Sequence, residues 1–315
     1  ILKQQKNNVH LAGNIGYPLS GFIDKIKEND ILVMEISCQQ LENLTEFKPD
    51  IAVMTNITEA HIDFMKTYEH YKYVKSKLLQ NQTKEDIAII NKESKDLLEI
   101  TQNAKSTKKY YSKNQIIKGC YIKEDAIYYY DEKIIDLKDI KLRGAHNYEN
   151  IMAAIMATKE LKSTNEEIKK VLTTFMGVEH RLEYVNTVNK RTFYNDTEAT
   201  NIKCTQIALS SFKEPTIIIL GGLERGQNFD DLKPYIKNVK AILAIGECRK
   251  RVVEFAKKNN KQVYEYEHLK DATKKAYEIS DENDIILLSP ASASWDQYKQ
   301  CEDRGDEFKN IVNNL

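Results

Sequence analysis

The chain has 315 residues, enough for two domains. Lys plus Arg and Asp plus Glu balance at 47 each, which excludes a global field drawing the protein to nucleic acid or an anionic membrane. Apolar residues at 41% and charged residues at 30% fit an ordinary globular protein, and neither a membrane-span-length apolar run nor a signal-peptide pattern occurs.

In chain order, ILKQQKNN at 1–8 reads as the tail of a helix and Val9-His10-Leu11-Ala12 as a strand. ILVMEIS at 31–37 predicts a buried strand that ends on Glu35, a carboxylate costly to bury without a partner. Residues 51–56 predict another, buried on both faces, after which the chain turns polar through Asn56-Ile57-Thr58-Glu59-Ala60-His61. In an open α/β sheet, ligands sit beyond the carboxyl ends of the strands, so His61 falls where chemistry is done. A helix from near Tyr68 carries Lys75 back over the same edge. Taken singly, each of these residues reads as a cap or a solvent-facing group; as an ordered set, Glu35, His61 and Lys75 can converge on one site.

A further strand is predicted at 87–91, and the alternation of strands and helices argues for a parallel sheet. Residues 109–142 differ in kind, with short β-prone runs rich in tyrosine that suggest a small antiparallel patch flanking that sheet. A base-stacking role for the tyrosines lacks the basic groove it needs. Leu142-Arg143-Gly144-Ala145-His146-Asn147-Tyr148-Glu149-Asn150 then leads into an amphipathic helix over 151–161, where Asn147 reads first as a cap. The first domain is placed at 1–177.

The second domain is placed at 178–315. Strands at 192–196, 216–220, 241–245, 262–266 and 284–288 alternate with helices at 201–211, 231–238, 250–259 and 269–279, a doubly wound, Rossmann-like pattern. Three loops follow strand ends. They are Asn195-Asp196-Thr197-Glu198-Ala199-Thr200-Asn201, Gly221-Gly222-Leu223-Glu224-Arg225-Gly226, and the stretch 289–298 that runs into Arg304-Gly305-Asp306-Glu307-Phe308. The glycine-rich loop does not meet GxGxxG, which leaves an NAD reading weak. The five cysteines form no CxxC pair and read as free thiols in a reducing compartment.

Asn14 with Gly13 and Gly16, the run from Glu35 to Glu42, the run from Asn56 to His61, Tyr71-Lys72-Tyr73-Val74-Lys75, the LxGxHNxxN pattern ending at Asn150, Glu179-His180-Arg181 and the three loops come in an order that resembles the Mur ligases. The resemblance covers nearly the whole chain. It implies a central parallel-sheet ATPase-type domain, truncated at its start, followed by the Rossmann-like domain. It also implies ATP-dependent addition of D-glutamate to UDP-N-acetylmuramoyl-L-alanine in the cytoplasm, by an enzyme expected to be a monomer. By that resemblance Glu35, His61 and a carbamylated Lys75 hold Mg2+; Asn14, Ser37 and Gln40 meet the muramoyl substrate; and Asn147, Asn150, Arg181 and Asp196 meet ATP. Arg225 and Ser294 grip D-glutamate, with Asp196 and Thr200 defining the floor of that site.

Several positions depart from the family pattern. Ala60 stands where an aspartate precedes the histidine, and Gln39 and Cys301 replace aromatics. Glu198 replaces a lysine, a reversal that at roughly 4 Å and an effective dielectric near 20 costs several kcal/mol of attraction for an anion. No GxxxxGK[ST] loop occurs, so the front of the enzyme is expected to be missing and these 315 residues alone are expected to be inactive. The alternative is a non-catalytic binder that keeps the fold.

Overall fold

The computed structural model describes residues 1–5, 8–14, 18–59, 62–142 and 144–315, without the side chains of Ile62 and Asp63. It divides into two compact units, Ile1–Ile140 with Asn147–Thr174, and Lys141–His146 with Phe175–Leu315.

In the first unit β1 (Val9–Gly13) pairs in parallel with β2 (Ile31–Glu35), Gly13 opposite Glu35, and the two form a sheet of their own. A second sheet has the order β3-β4-β5-β6-β7-β8, from β3 (Ile51–Met54), β4 (Ile87–Asn91), β5 (Thr107–Ser112), β6 (Gly119–Lys123), β7 (Ala126–Tyr129) and β8 (Glu132–Asp136). Its first four strands are parallel and its last three antiparallel, so the tyrosine-rich patch extends the main sheet through the parallel β5–β6 pair. The sequence reading placed 31–37 and 51–56 in one sheet; here β2 and β3 are not paired. Val33 on β2 and Val53 on β3 are 42% and 39% exposed, because neither edge strand is covered as a strand inside a parallel sheet is.

The helices of this unit are α1 (Cys38–Asn43), α2 (Ile62–Met65), α3 (Tyr68–Ser76), α4 (Lys95–Ile100), α5 (Ala145–Glu160) and α6 (Asn165–Leu172). Short polar residues start them: Thr67 caps α3, Ser94 caps α4, and Thr164 with Glu167 forms a capping box on α6. Met54, Val74, Ala88, Ile90 and Leu97 share one buried cluster, which pins α3 and α4 to the sheet. α5 begins at Ala145, six residues earlier than its apolar periodicity predicts, so Asn147 and Asn150 lie on its first turns and neither caps it.

The second unit carries β9 (Glu183–Val188), β10 (Arg191–Asn195), α7 (Ile202–Ser210), β11 (Thr216–Gly221), β12 (Val239–Ile245), α8 (Arg249–Lys258), β13 (Gln262–Glu265), α9 (Leu269–Glu278), β14 (Ile285–Leu288) and α10 (Cys301–Val312). The sheet order is β13-β12-β11-β14-β10-β9, parallel except for β9. Alternate residues of one apolar run serve two cores. Ile218 and Leu220 of β11 join Leu287 and Val252 on one face, while Ile217 and Ile219 join Leu288 and Phe308 on the other. Each such side chain contributes about 2 kcal/mol by leaving water. The sequence pattern gave no sign of β9, whose polar run pairs only as an edge, or of α10.

Candidate active site

In the second unit, β14 lies between β11 and β10, which places the loops 289–298, 221–226 and 195–201 side by side at the carboxyl ends of three adjacent strands. Backbone bonds lock the three together. Asp196 N–H donates to Leu288 O at 2.7 Å, Gly221 N–H to Pro290 O at 2.8 Å, and Leu223 N–H to Ala293 O at 2.9 Å. Gly221 and Gly222 are required there, since both have φ in the left-handed region and a Cβ would lie 2.2 Å from Ile245 O in one case and 2.4 Å from Ala293 O in the other.

Arg304 of α10, 1% exposed, closes the junction from beneath. Its Nε donates to Thr197 Oγ1 at 3.0 Å, and its Nη2 to Thr197 O at 3.1 Å and Ser292 O at 3.0 Å. No carboxylate among the described residues lies within ion-pair distance of it, so its hydrogen bonds go to carbonyl oxygens and a hydroxyl, with Asp296 acting on its charge from farther off. Burial pulls this guanidinium down to about 10. Sequence reasoning missed the role of Arg304, because nothing in a charged RGDEF run signals complete burial.

Ser294 is 1% exposed, and its hydroxyl has no hydrogen-bond partner among the described residues. A buried unsatisfied hydroxyl is costly and fits a group meant to meet a ligand. Arg225 is exposed; its guanidinium carbon stands 4.8 Å from the ring centroid of Trp295, itself 60% exposed. Thr200 is half-buried and its backbone N–H donates to Glu198 O at 2.8 Å.

Asp196 is 4% exposed. Its Oδ2 accepts from the Ser289 hydroxyl at 2.7 Å and its Oδ1 from Leu182 N–H at 3.1 Å. Burial outweighs these bonds and pushes the carboxyl up to about 7. Arg181 lies between His180 and Leu182, two non-glycine residues with left-handed φ of 66° and 44°, an arrangement that stores backbone strain. Its guanidinium is 3.6 Å from Glu198. Glu198 also lies 3.8 Å from the Cys301 thiol, which is 3.3 Å from Glu302 and is pushed up to about 11 by burial and by those carboxylates. Two of the departures from the family pattern thus touch each other. His180 is buried, with Nδ1 3.1 Å from Asn195 Nδ2 and Nε2 3.7 Å from Asp306. Glu179, His180 and Asp306 come close enough to share a cation, but Lys309 already holds that place, 3.0 Å from Asp306 and paired with Glu179.

In the first unit, Glu35 is exposed at the end of β2 and its Oε1 accepts from the Asn14 amide at 2.9 Å. Ser37 and Gln40 form a capping box on α1, with Gln40 N–H donating to Ser37 Oγ at 3.3 Å and Ser37 N–H to Gln40 Oε1 at 2.9 Å. These side chains therefore act first on the helix start. Lys75 sits half-buried in the last turn of α3, its ammonium 5.8 Å from the Tyr71 ring centroid and without an ion-pair partner among the described residues. Asn150 Nδ2 is 3.5 Å from Asn147 Oδ1. His61 and Ala60 lie outside the described residues. As a test of a hard divalent cation, Glu35 fits as an oxygen donor, whereas Lys75 fits only once its amine carries a carboxylate.

A family model for the Mur ligase middle domain matches residues 2–158, and one for the Mur ligase glutamate ligase domain matches residues 180–292. The UDP-N-acetylmuramoylalanine–D-glutamate ligase of Bacillus cereus (strain G9842) is 43% identical over 317 residues, covering 100% of this chain and 70% of the relative. That of Bacillus mycoides (strain KBAB4) is 44% identical with the same coverage. Among solved structures, the MurF ligase from Thermotoga maritima in complex with ADP matches with a TM-score of 0.71 at 17% identity, covering 99% of this chain and 76% of that one. The UDP-N-acetylmuramate–alanine ligase from Thermotoga maritima matches at 0.68 and 15%, covering 99% and 77%. The structural likeness establishes the fold, and the family models with the 43–44% identical relatives establish the lineage: this chain belongs to the Mur ligase family.

Proposed function

We propose that the chain carries the middle and glutamate-ligase domains of an ATP-dependent ligase that joins D-glutamate to UDP-N-acetylmuramoyl-L-alanine in peptidoglycan synthesis. The observation that carries this reading is the junction of three strand-end loops, where a partnerless buried Ser294 hydroxyl lies on the loop anchored by the buried Arg304. Such a place suits a carboxylate, which supplies an acceptor for the hydroxyl.

In the proposed reaction a carboxylate oxygen of the alanyl group takes the γ-phosphoryl of ATP, releasing ADP and leaving an acyl phosphate. The D-glutamate nitrogen then forms a bond to the acyl carbon, the carbon–oxygen bond to phosphate breaks, and the nitrogen loses a proton. Ser294 and Arg225 hold the glutamate, with Thr200 and Asp196 beneath it. Asn14, Ser37 and Gln40 orient the muramoyl substrate, while Asn147, Asn150 and Arg181 meet the nucleotide. Arginine suits that role because its planar fork matches phosphate oxygens in pairs. Glu35, with His61 and a carbamylated Lys75, would hold a magnesium ion, which when bound offsets the repulsion between the anionic substrates. The proposal places the enzyme in the cytoplasm as a monomer. No helix of the described residues is long and apolar enough to cross a membrane.

A second reading, a non-catalytic binder, is favoured by one observation: Glu198 lies 3.6 Å from Arg181 and competes with phosphate for it. One assay separates the two. Phosphate release by the full-length protein is expected only when ATP, the muramoyl-alanine nucleotide and D-glutamate are all present, and Ser294→Ala is expected to raise KM for D-glutamate roughly tenfold. Absence of glutamate-dependent release defeats the ligase reading in favour of the binder.

A further inference from the structure

We propose that Trp295 is a positioning residue for the amino-acid substrate, its indole face holding the Arg225 guanidinium in place at the rim of the loop junction. This rests on the reading that Arg225 grips D-glutamate. Arg225 stands on an exposed loop and has no carboxylate partner among the described residues. A free arginine side chain carries about 2 kcal/mol of rotamer entropy, much of which is lost when it clamps a ligand. Its guanidinium carbon lies 4.8 Å from the Trp295 ring centroid, inside the reach of a cation–π contact.

Trp295 belongs to neither of the buried clusters that flank β11. It is the only tryptophan in the sequence, and it is 60% exposed while its neighbours Ala293 and Ser294 are buried. The segment that bears it is nonetheless fixed. Arg304 bonds to Ser292 O, Leu223 N–H donates to Ala293 O, and Asp296 Oδ2 accepts from Glu247 N–H at 3.1 Å. One anchored loop therefore turns Ser294 inward with its hydroxyl unmet and Trp295 outward under Arg225. The indole pre-orders the arginine before substrate arrives, which reduces the ordering cost of binding. Trp295 itself touches no reacting atom, so the contribution belongs to KM for the amino acid.

The test is steady-state kinetics of the full-length protein with ATP, the muramoyl-alanine nucleotide and D-glutamate, comparing wild type, Trp295→Leu, Trp295→Phe, Arg225→Ala and the double variant Arg225→Ala/Trp295→Leu. Trp295→Leu is expected to raise KM for D-glutamate roughly two- to fivefold, the range of an exposed cation–π contact, with kcat and KM for ATP unchanged. Trp295→Phe should recover part of the loss, and Trp295→Leu should add nothing once Arg225 is alanine. An unchanged KM, a loss confined to kcat, or an equal effect of Trp295→Leu in the Arg225→Ala background overturns the assignment. A wild-type protein that turns over no D-glutamate overturns the ligase reading and this one with it; glutamate turnover with indifferent Trp295 variants overturns this one alone.

Discussion

Asp196 shows how position decides what a carboxylate does. Its pKa stands at about 7 because burial outweighs the bonds from Ser289 and Leu182. The folded state therefore binds its proton more tightly than the unfolded chain. Its contribution to stability is complete below the ordinary carboxylate range near 4 and is lost as pH rises through about 7. Ionisation costs the second unit on the order of 4 kcal/mol by pH 8. Asp196→Asn, which cannot ionise, should flatten the dependence, and urea unfolding at pH 5 and pH 8 reads it. A wild-type protein equally stable at both values contradicts the burial argument. Glu198 gives a second prediction at this scale. It lies 3.6 Å from an Arg181 side chain that is 68% exposed, a pair worth no more than about 1 kcal/mol. Glu198→Gln should free Arg181 for phosphate and lower KM for ATP about two- to fivefold, and a KM that stays or rises would mean that Arg181 does not meet the nucleotide.

Among the elements, α10 does most to hold the loop junction, and the sequence pattern did not show it. The strands were legible because Thr216-Ile217-Ile218-Ile219-Leu220 and Ile285-Ile286-Leu287-Leu288 are continuous apolar runs, the mark of a parallel strand buried on both faces. The residues of the three loops were legible through their ordered resemblance. Burial of a charge was not. Arg304 lies in a charged run and reads as solvated, and only tertiary contacts make it a clamp between the loops at 195–201 and 289–298. The edge strand β9 was missed for the opposite reason: it owes its pairing to its neighbour β10 rather than to a strong pattern of its own. Arg304→Met should leave Thr197 O, Ser292 O and Thr197 Oγ1 without their donor and destabilise the second unit by roughly 2–4 kcal/mol. Arg304→Lys should recover little, because a point charge cannot serve three acceptors arranged for a fork. Full recovery by lysine in a denaturant titration would mean that charge alone, without the bonding pattern, holds the junction.

At the scale of the whole molecule, the chain builds separate cores and passes between its two units three times, after residues 140, 146 and 174. The buried cluster around Met54, Ala88 and Ile90 lies wholly in the first unit, and the two clusters flanking β11 lie wholly in the second. A cavity is felt by the residues that lined it, so a core truncation should act on its own unit. Ile219 is 0% exposed, and Ile219→Ala should cost roughly 2–4 kcal/mol. Amide exchange then gives a local reading of the loss. Protection should fall by a factor of thirty or more across β11, β12 and β14, from about 1.4 kcal/mol per tenfold, while Ala88, Ile89 and Ile90 of β4 keep theirs. An equal loss of protection in β4 would show that the two cores open as one cooperative body, and the division into two units would then be geometric without being thermodynamic.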